Sequence, residues 1–120
     1  MSIEENKKIV KRWFDEAMLK NNSDIVDELF TDKIVVHGKN GEVTEQTWED
    51  KKQYLKGAEN FVDLNISYDD PPPIGEGDVV AFRWIATGKN AKSGEAFCYT
   101  HNYLYRIVDG KIAEEWHCYF

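Results

Sequence analysis

The sequence predicts an α+β domain in which helices come first and an antiparallel run of strands follows. Three observations carry this expectation. Apolar residues recur at helical spacing behind two capping boxes in the first sixty positions. Apolar and polar residues alternate through most of the second half. Asp109-Gly110 separates two runs of aromatic and β-branched residues, the strongest short hairpin signal.

Taken in order, Ser2-Ile3-Glu4-Glu5 forms the first capping box, with Ser2 as N-cap and Glu5 three positions on. Val10, Trp13, Phe14, Ala17 and Met18 give this helix one apolar face, and it should end near Asn21-Asn22. Ser23 reads as the cap of a short second helix bearing Ile25, Val26, Leu29 and Phe30. Residues 33–37 form a strand candidate that ends at His37, and residues 38–41 a turn. Thr47 and Asp50 make the second box, for a third helix reaching about Phe61 with Trp48, Leu55, Ala58 and Val62 apolar. Leu64, Ile66 and Tyr68 alternate as in a strand, and Pro71-Pro72-Pro73 marks an edge or connection. Residues 78–87 give the next strand, with Val80, Phe82, Trp84 and Ala86 on one face, and residues 88–94 a polar turn. A curved sheet wrapped over the long first helix leaves a cavity at one end.

The final hairpin, residues 97–120, organises the functional reading. A two-residue turn at Asp109-Gly110 sets Tyr105 opposite Glu114, Tyr103 opposite Trp116 and His101 opposite Cys118. These side chains share one aromatic face with Phe97, Tyr99 and Phe120. Glu115, His117, Asn102, Arg106 and Ala113 occupy the polar face. A histidine, a glutamate and several tyrosines among hydrophobes suit a pocket wall better than a plain core. The same register puts Cys98 and Cys118 on opposite faces, so no bridge between them is expected.

Composition narrows the function classes. The 120 residues suffice for a single domain, 1–120, and 42% hydrophobic content indicates a globular chain. The net charge of −7, without a basic block, disfavours nucleic acid and anionic membranes as partners. No apolar run approaches spanning length and the N-terminus is charged, so a cytoplasmic location is expected. Neither a phosphate-binding glycine loop, a metal-binding His/Cys spacing nor a nucleophile motif is present.

Several segments together resemble a known family. They are the long first helix, Asp24-Ile25-Val26-Asp27-Glu28-Leu29-Phe30, the strand ending at His37, the run from Asp78 to Gly88, and the run from Tyr105 through Asp109-Gly110 to Trp116. Across nearly its whole length the chain resembles the SnoaL-like polyketide cyclases of the nuclear transport factor 2-like superfamily. That resemblance implies a cone-shaped barrel, a curved and mostly antiparallel sheet around a long N-terminal helix with two further helices, and a deep apolar pocket. It also implies a homodimer and chemistry without a cofactor or metal. Members include aldol cyclases, ketosteroid isomerases, dehydratases, epoxide hydrolases and silent binders, so the fold leaves the reaction open. Many SnoaL-like cyclases carry an acid immediately after the tryptophan, where this chain has His117.

Three residues are the catalytic candidates. His101, on the aromatic face, suits proton exchange near neutral pH, against the alternative of a hydrogen-bonded core histidine. Glu114 is either an acid/base group with a raised pKa or a structural carboxylate paired with an arginine or Tyr105. His117 faces the pocket by the resemblance and the polar side by the hairpin register; only a β-bulge that shifts the register after Trp116 reconciles the two. Trp13, His37, Trp48, Trp84, Tyr99, Tyr103 and Trp116 are candidates for lining a substrate site, His37 near the cavity mouth as in relatives. The expected function is acid/base chemistry of the cyclase or isomerase type on a small hydrophobic carbonyl compound. The alternatives are a non-catalytic binder and a dimerisation module whose pocket its own side chains fill.

Overall fold

A computed structural model describes residues 2–118. Helix α1 (Ile3–Arg12) begins as expected: the Ser2 hydroxyl accepts from the Glu5 amide at 3.1 Å while the Glu5 carboxylate accepts from the Ser2 amide. It continues as a wider π-helical segment, Trp13–Met18, whose carbonyls accept from amides five residues on, Phe14 from Leu19 and Ala17 from Asn22. That widening brings Trp13, Phe14, Ala17 and Met18 all inward, where Phe14 meets Phe82, Trp84 and Tyr68 at ring separations of 5.3–5.5 Å. The turn that follows it closes at Asn21, which takes a left-handed φ of 51°.

A short 3₁₀ turn, Ser23–Ile25, leads into α2 (Val26–Leu29). Asn22 rather than Ser23 is its cap, accepting from the Asp24 amide at 3.1 Å. Helix α3 (Trp48–Lys56) has the anticipated Thr47–Asp50 capping box but stops short of Phe61, closing with a 3₁₀ turn over Gly57–Asn60.

The strands are β1 (Phe30–His37), β2 (Val43–Gln46), β3 (Phe61–Ser67), β4 (Ile74–Glu76), β5 (Val79–Asn90), β6 (Ala96–Val108) and β7 (Lys111–Cys118). They form one curved, unclosed sheet in the order β2-β1-β7-β6-β5-β3, with β4 also on β5. All pairs are antiparallel except β1 with β7, which makes the sheet mixed. Helix α1 packs over β4, β5 and β7. The core between them includes Val80, Phe82, Trp84 and Ala86, the face of β5 read from the alternation.

The final hairpin departs from the expected register at one point. Asp109 and Gly110 both have positive φ, 50° and 78°, as a two-residue mirror-image turn requires. Val108 pairs Lys111 and Ile107 pairs Ile112, as expected, but Arg106 then pairs Glu114. Ala113 is therefore an extra residue, a β-bulge, and every later residue of β7 changes face. Tyr105 lies opposite Glu115 and Tyr103 opposite His117, so Glu115 and His117 face inward while Glu114 and Trp116 face outward. Cys118 sits opposite Asn102 rather than His101. Cys98 and Cys118 consequently share the outer face, not opposite ones. They stand four residues apart along the sheet, ~13 Å, and both are free and exposed. Phe120, read as extending the aromatic face, lies outside the described residues.

Candidate functional site

The inner face of the sheet and helix α3 enclose a cavity of about 470 Å³. Strand β6 contributes Phe97, Tyr99 and His101, β5 contributes Trp84 and Ala86, β3 contributes Phe61, Leu64 and Ile66, and α3 adds Gln53, Tyr54 and Leu55. The lining is mostly apolar, with His101 and a few amide and hydroxyl groups as the polar exceptions. A second compartment of about 90 Å³ shares Tyr54 and Trp84 with the first. Its other walls are polar: Gln46, Asp50, Lys51, Tyr103, Glu115 and His117 stand among them, with Trp13 and Tyr105.

His101 is held by rings rather than by hydrogen bonds. Its imidazole stacks on Trp84 at 4.0 Å and meets Tyr103 edge-on at 5.6 Å. No hydrogen bond among the described residues engages it. Burial, with the nearby His117 charge adding to it, pushes its pKa below the ordinary histidine value. The ring is therefore neutral near pH 7, the form that accepts a proton.

Glu115, Lys51 and His117 form a tight polar set. Lys51 is only 6% exposed and Glu115 3%, and the Lys51 Nζ stands 2.7 Å from Glu115 Oε2. Oε2 has no well-directed hydrogen bond, so this contact is an ion pair. The other carboxylate oxygen, Oε1, lies 2.7 Å from His117 Nε2. Burial opposes the Glu115 charge, but the Lys51 ammonium and the His117 hydrogen bond outweigh it and hold the carboxyl below its usual range. An ionised carboxylate can only accept, so Nε2 of His117 carries the proton in this contact. His117 in turn stacks on Tyr103 at 3.9 Å, nearly parallel.

The sequence matches the family described as SnoaL-like domain over residues 10–115. The chain belongs to that family. A search of curated proteins returned no match. Among solved structures it is similar to a protein from Jannaschia sp. CCS1 proposed to be a SnoaL-like polyketide cyclase, with 21% identity, TM-score 0.81, and 98% of this chain and 88% of that one covered. It is also similar to IdmH from Streptomyces antibioticus, a proposed polyketide cyclase, with 21% identity, TM-score 0.77 and coverage of 94% and 90%. A third is AclR from Streptomyces galilaeus, a proposed hydroxylase, with 22% identity, TM-score 0.77 and coverage of 98% and 90%. At these identities the likeness is one of fold, and different chemistries are named on it.

In this SnoaL-like chain the sequence-derived candidates separate into two groups. His101, Trp84 and Tyr99 line the large cavity, while Trp13, Trp84, Tyr103 and His117 line the polar compartment. The others lie elsewhere. Glu114 is on the outer face, 2.6 Å from His37 Nε2 and 3.0 Å from Arg106 Nε. The hydrogen bond from His37, with Arg106 assisting against partial burial, holds its carboxyl low, so the raised pKa considered for a pocket glutamate does not arise. His37 stacks on Trp116 at 5.0 Å, and Arg106 covers Trp116 at 5.3 Å. His37, Glu114 and Trp116 thus belong to an outer-face cluster rather than to the cavity or its mouth. Trp48 donates its indole N–H to the Phe30 carbonyl at 2.9 Å and lines neither compartment. No three His, Cys, Asp or Glu side chains among the described residues are grouped to hold a metal, and none of the helices there is long and apolar enough to cross a membrane.

Lys51 and Glu115 are not evident as site residues from the sequence. A charged residue on a capped helix reads as a solvated face, yet Lys51 is three after Trp48 and four before Leu55, on that helix's inward stripe. Glu115 points outward in any register that lacks the bulge.

Proposed function

We propose that this SnoaL-like protein binds a small neutral hydrophobic carbonyl compound in the large cavity and acts on it by acid/base chemistry. The reading is supported above all by His101, a neutral imidazole without a hydrogen bond among the described residues, on the wall of a mostly apolar cavity. Such a group can remove a proton from the carbon next to a carbonyl, the first step of aldol closure or of double-bond isomerisation. A volume of about 470 Å³ falls in the range of small-molecule sites and argues against a pocket filled by its own side chains.

Proton abstraction can be tested on simple ketones in place of the natural substrate. Neutral hydrophobic ketones are incubated with the protein in heavy water, and deuterium entering next to the carbonyl is followed by NMR. Exchange above the buffer rate should occur for ketones that bind, and should vanish in a folded His101→Ala variant. Ketones that bind without exchanging would favour the binder reading instead. Exchange that survives in His101→Ala would remove His101 from the chemistry.

A further inference from the structure

Three inward-facing residues of β6, Phe97, Tyr99 and His101, stand in a row along the large cavity, about 13 Å from first to last. Their rings follow one another closely. Tyr99 lies 6.3 Å from His101, Phe97 lies 5.2 Å from Tyr99, and Phe61 of β3 lies 4.8 Å from Phe97. One end of the row is closed and the other open. At the closed end Trp84, only 3% exposed, stacks on His101 and stands in the walls of both compartments. At the open end Tyr99 is 55% exposed and Phe61 36%, although both line the cavity. Gly88, opposite Phe97 on β5, makes room for this arrangement: a Cβ there would stand 2.9 Å from the tip of the Phe97 ring, so the missing side chain lets that ring lie over β5. Rings that face an open volume bury their surface only when a ligand lies on them, and each then adds to affinity in proportion to the area covered.

We propose that this row is a track for an extended apolar chain, and that the ligand of the large cavity is a long, unbranched ketone with its carbonyl at one end, beside His101. The inference rests on the reading of the cavity as an acid/base site and adds the shape of its substrate. The imidazole stands at the closed end, so the carbonyl enters first and the chain trails along Tyr99 and Phe97 towards Phe61 and solvent. A span of about 13 Å corresponds to about ten bonds of extended chain, the length from the carbonyl to the far end of 2-dodecanone. A branched body of the same carbon number fills the closed end and leaves the outer rings bare. In heavy water His101 takes a proton from the carbon next to the carbonyl and solvent returns a deuteron to that carbon, so exchange leaves the ketone otherwise unchanged.

The test uses 2-hexanone, 2-nonanone and 2-dodecanone, with two isomers of the last: 3-butyl-2-octanone, which splits the chain into two short arms, and 6-dodecanone, which moves the carbonyl to the middle. Dissociation constants are measured by titration, below the solubility of each ketone, on the wild-type protein and on Phe61→Ser/Phe97→Ser. Wild-type affinity should rise about two- to fourfold for each added CH₂ from 2-hexanone to 2-dodecanone. The straight ketone should bind about tenfold more tightly than 3-butyl-2-octanone. The double variant should weaken 2-dodecanone about tenfold more than it weakens 2-hexanone. With ligand at saturation in heavy water, deuterium should enter 2-dodecanone faster than 6-dodecanone, each rate being divided by that in buffer alone. Equal affinity for 2-dodecanone and 3-butyl-2-octanone overturns the track while the cavity reading stands; this comparison needs no variant, so it holds even if the double variant fails to fold. A loss in the double variant that is the same at every chain length does likewise. Equal exchange in the two dodecanones overturns the carbonyl-first orientation. Length-dependent binding with no exchange in any ketone overturns the acid/base reading and leaves the track as a binding site. Failure of every ketone to bind overturns both.

Discussion

A single imidazole, His101, links packing to chemistry through its charge. Burial is the larger reason its pKa is low and the His117 charge the smaller. The folded chain therefore binds a proton at this ring only below the pH at which the unfolded chain does, about 6.5. Between those two midpoints the unfolded state holds more protons, so stability falls as the pH drops through the window. His101→Gln should flatten that decline, seen as urea midpoints that change less between about pH 7 and 5 than those of the parent. His117→Gln should raise the His101 midpoint in an NMR titration without returning it to the ordinary value, because burial remains. An unmoved midpoint would mean that His101 does not sense a charge at His117.

At the scale of elements, helix α3 carries Lys51, Tyr54 and Leu55 to the two compartments, and its start depends on Thr47. The Thr47 hydroxyl accepts from the Asp50 amide at 3.3 Å and the Asp50 carboxylate accepts from the Thr47 amide at 2.9 Å. Thr47→Ala should lower stability by about 1 kcal/mol in denaturant unfolding; an unchanged midpoint would mean the cap is dispensable. Both capping boxes, the Asp109-Gly110 turn and the inward face of β5 are legible in the sequence because each rests on local rules. The place of His101 on the inner face is legible too, since β6 runs from the turn without interruption and its alternation can be counted. Strand β7 defeats the same counting at Ala113, a small residue with nothing in its identity to mark a bulge. That one extra residue turns Glu114 and Trp116 out and Glu115 and His117 in. Strand β2 is illegible for a different reason: Val43-Thr44-Glu45-Gln46 is short and largely exposed, so no buried face imposes an alternation.

At the scale of the whole molecule, helix α3, the end of the π-helical segment at Met18 and the sheet together leave a volume that side chains do not fill. Anything that occupies it binds the folded chain and not the unfolded one, so occupancy must stabilise the fold. At a hundredfold excess over its dissociation constant, a ligand such as 2-acetylnaphthalene should add about 2.7 kcal/mol and raise the unfolding temperature by roughly 10 °C. Binding seen by titration with no rise in the calorimetric scan would mean that the ligand holds to the unfolded chain as well as to the folded one. The cavity also explains how the fold can be read when the chemistry cannot. Alternation and capping define the walls, whereas the two compartments come from a helix charge and a strand bulge that meet only in three dimensions.

The Trp84–His101 stack carries one more consequence, an optical one. A protonated imidazole in face contact with an indole quenches its emission, so the light from Trp84 becomes a label-free readout of whether His101 holds a proton. Trp116 lies against His37 in a similar stack on the outer face and would mix a second signal into the first, but Trp116→Phe removes it. In that background the intrinsic fluorescence of the protein should dim along a curve centred below pH 6.5. A ligand that settles beside His101 should displace the curve, turning an uninstrumented protein into its own binding assay.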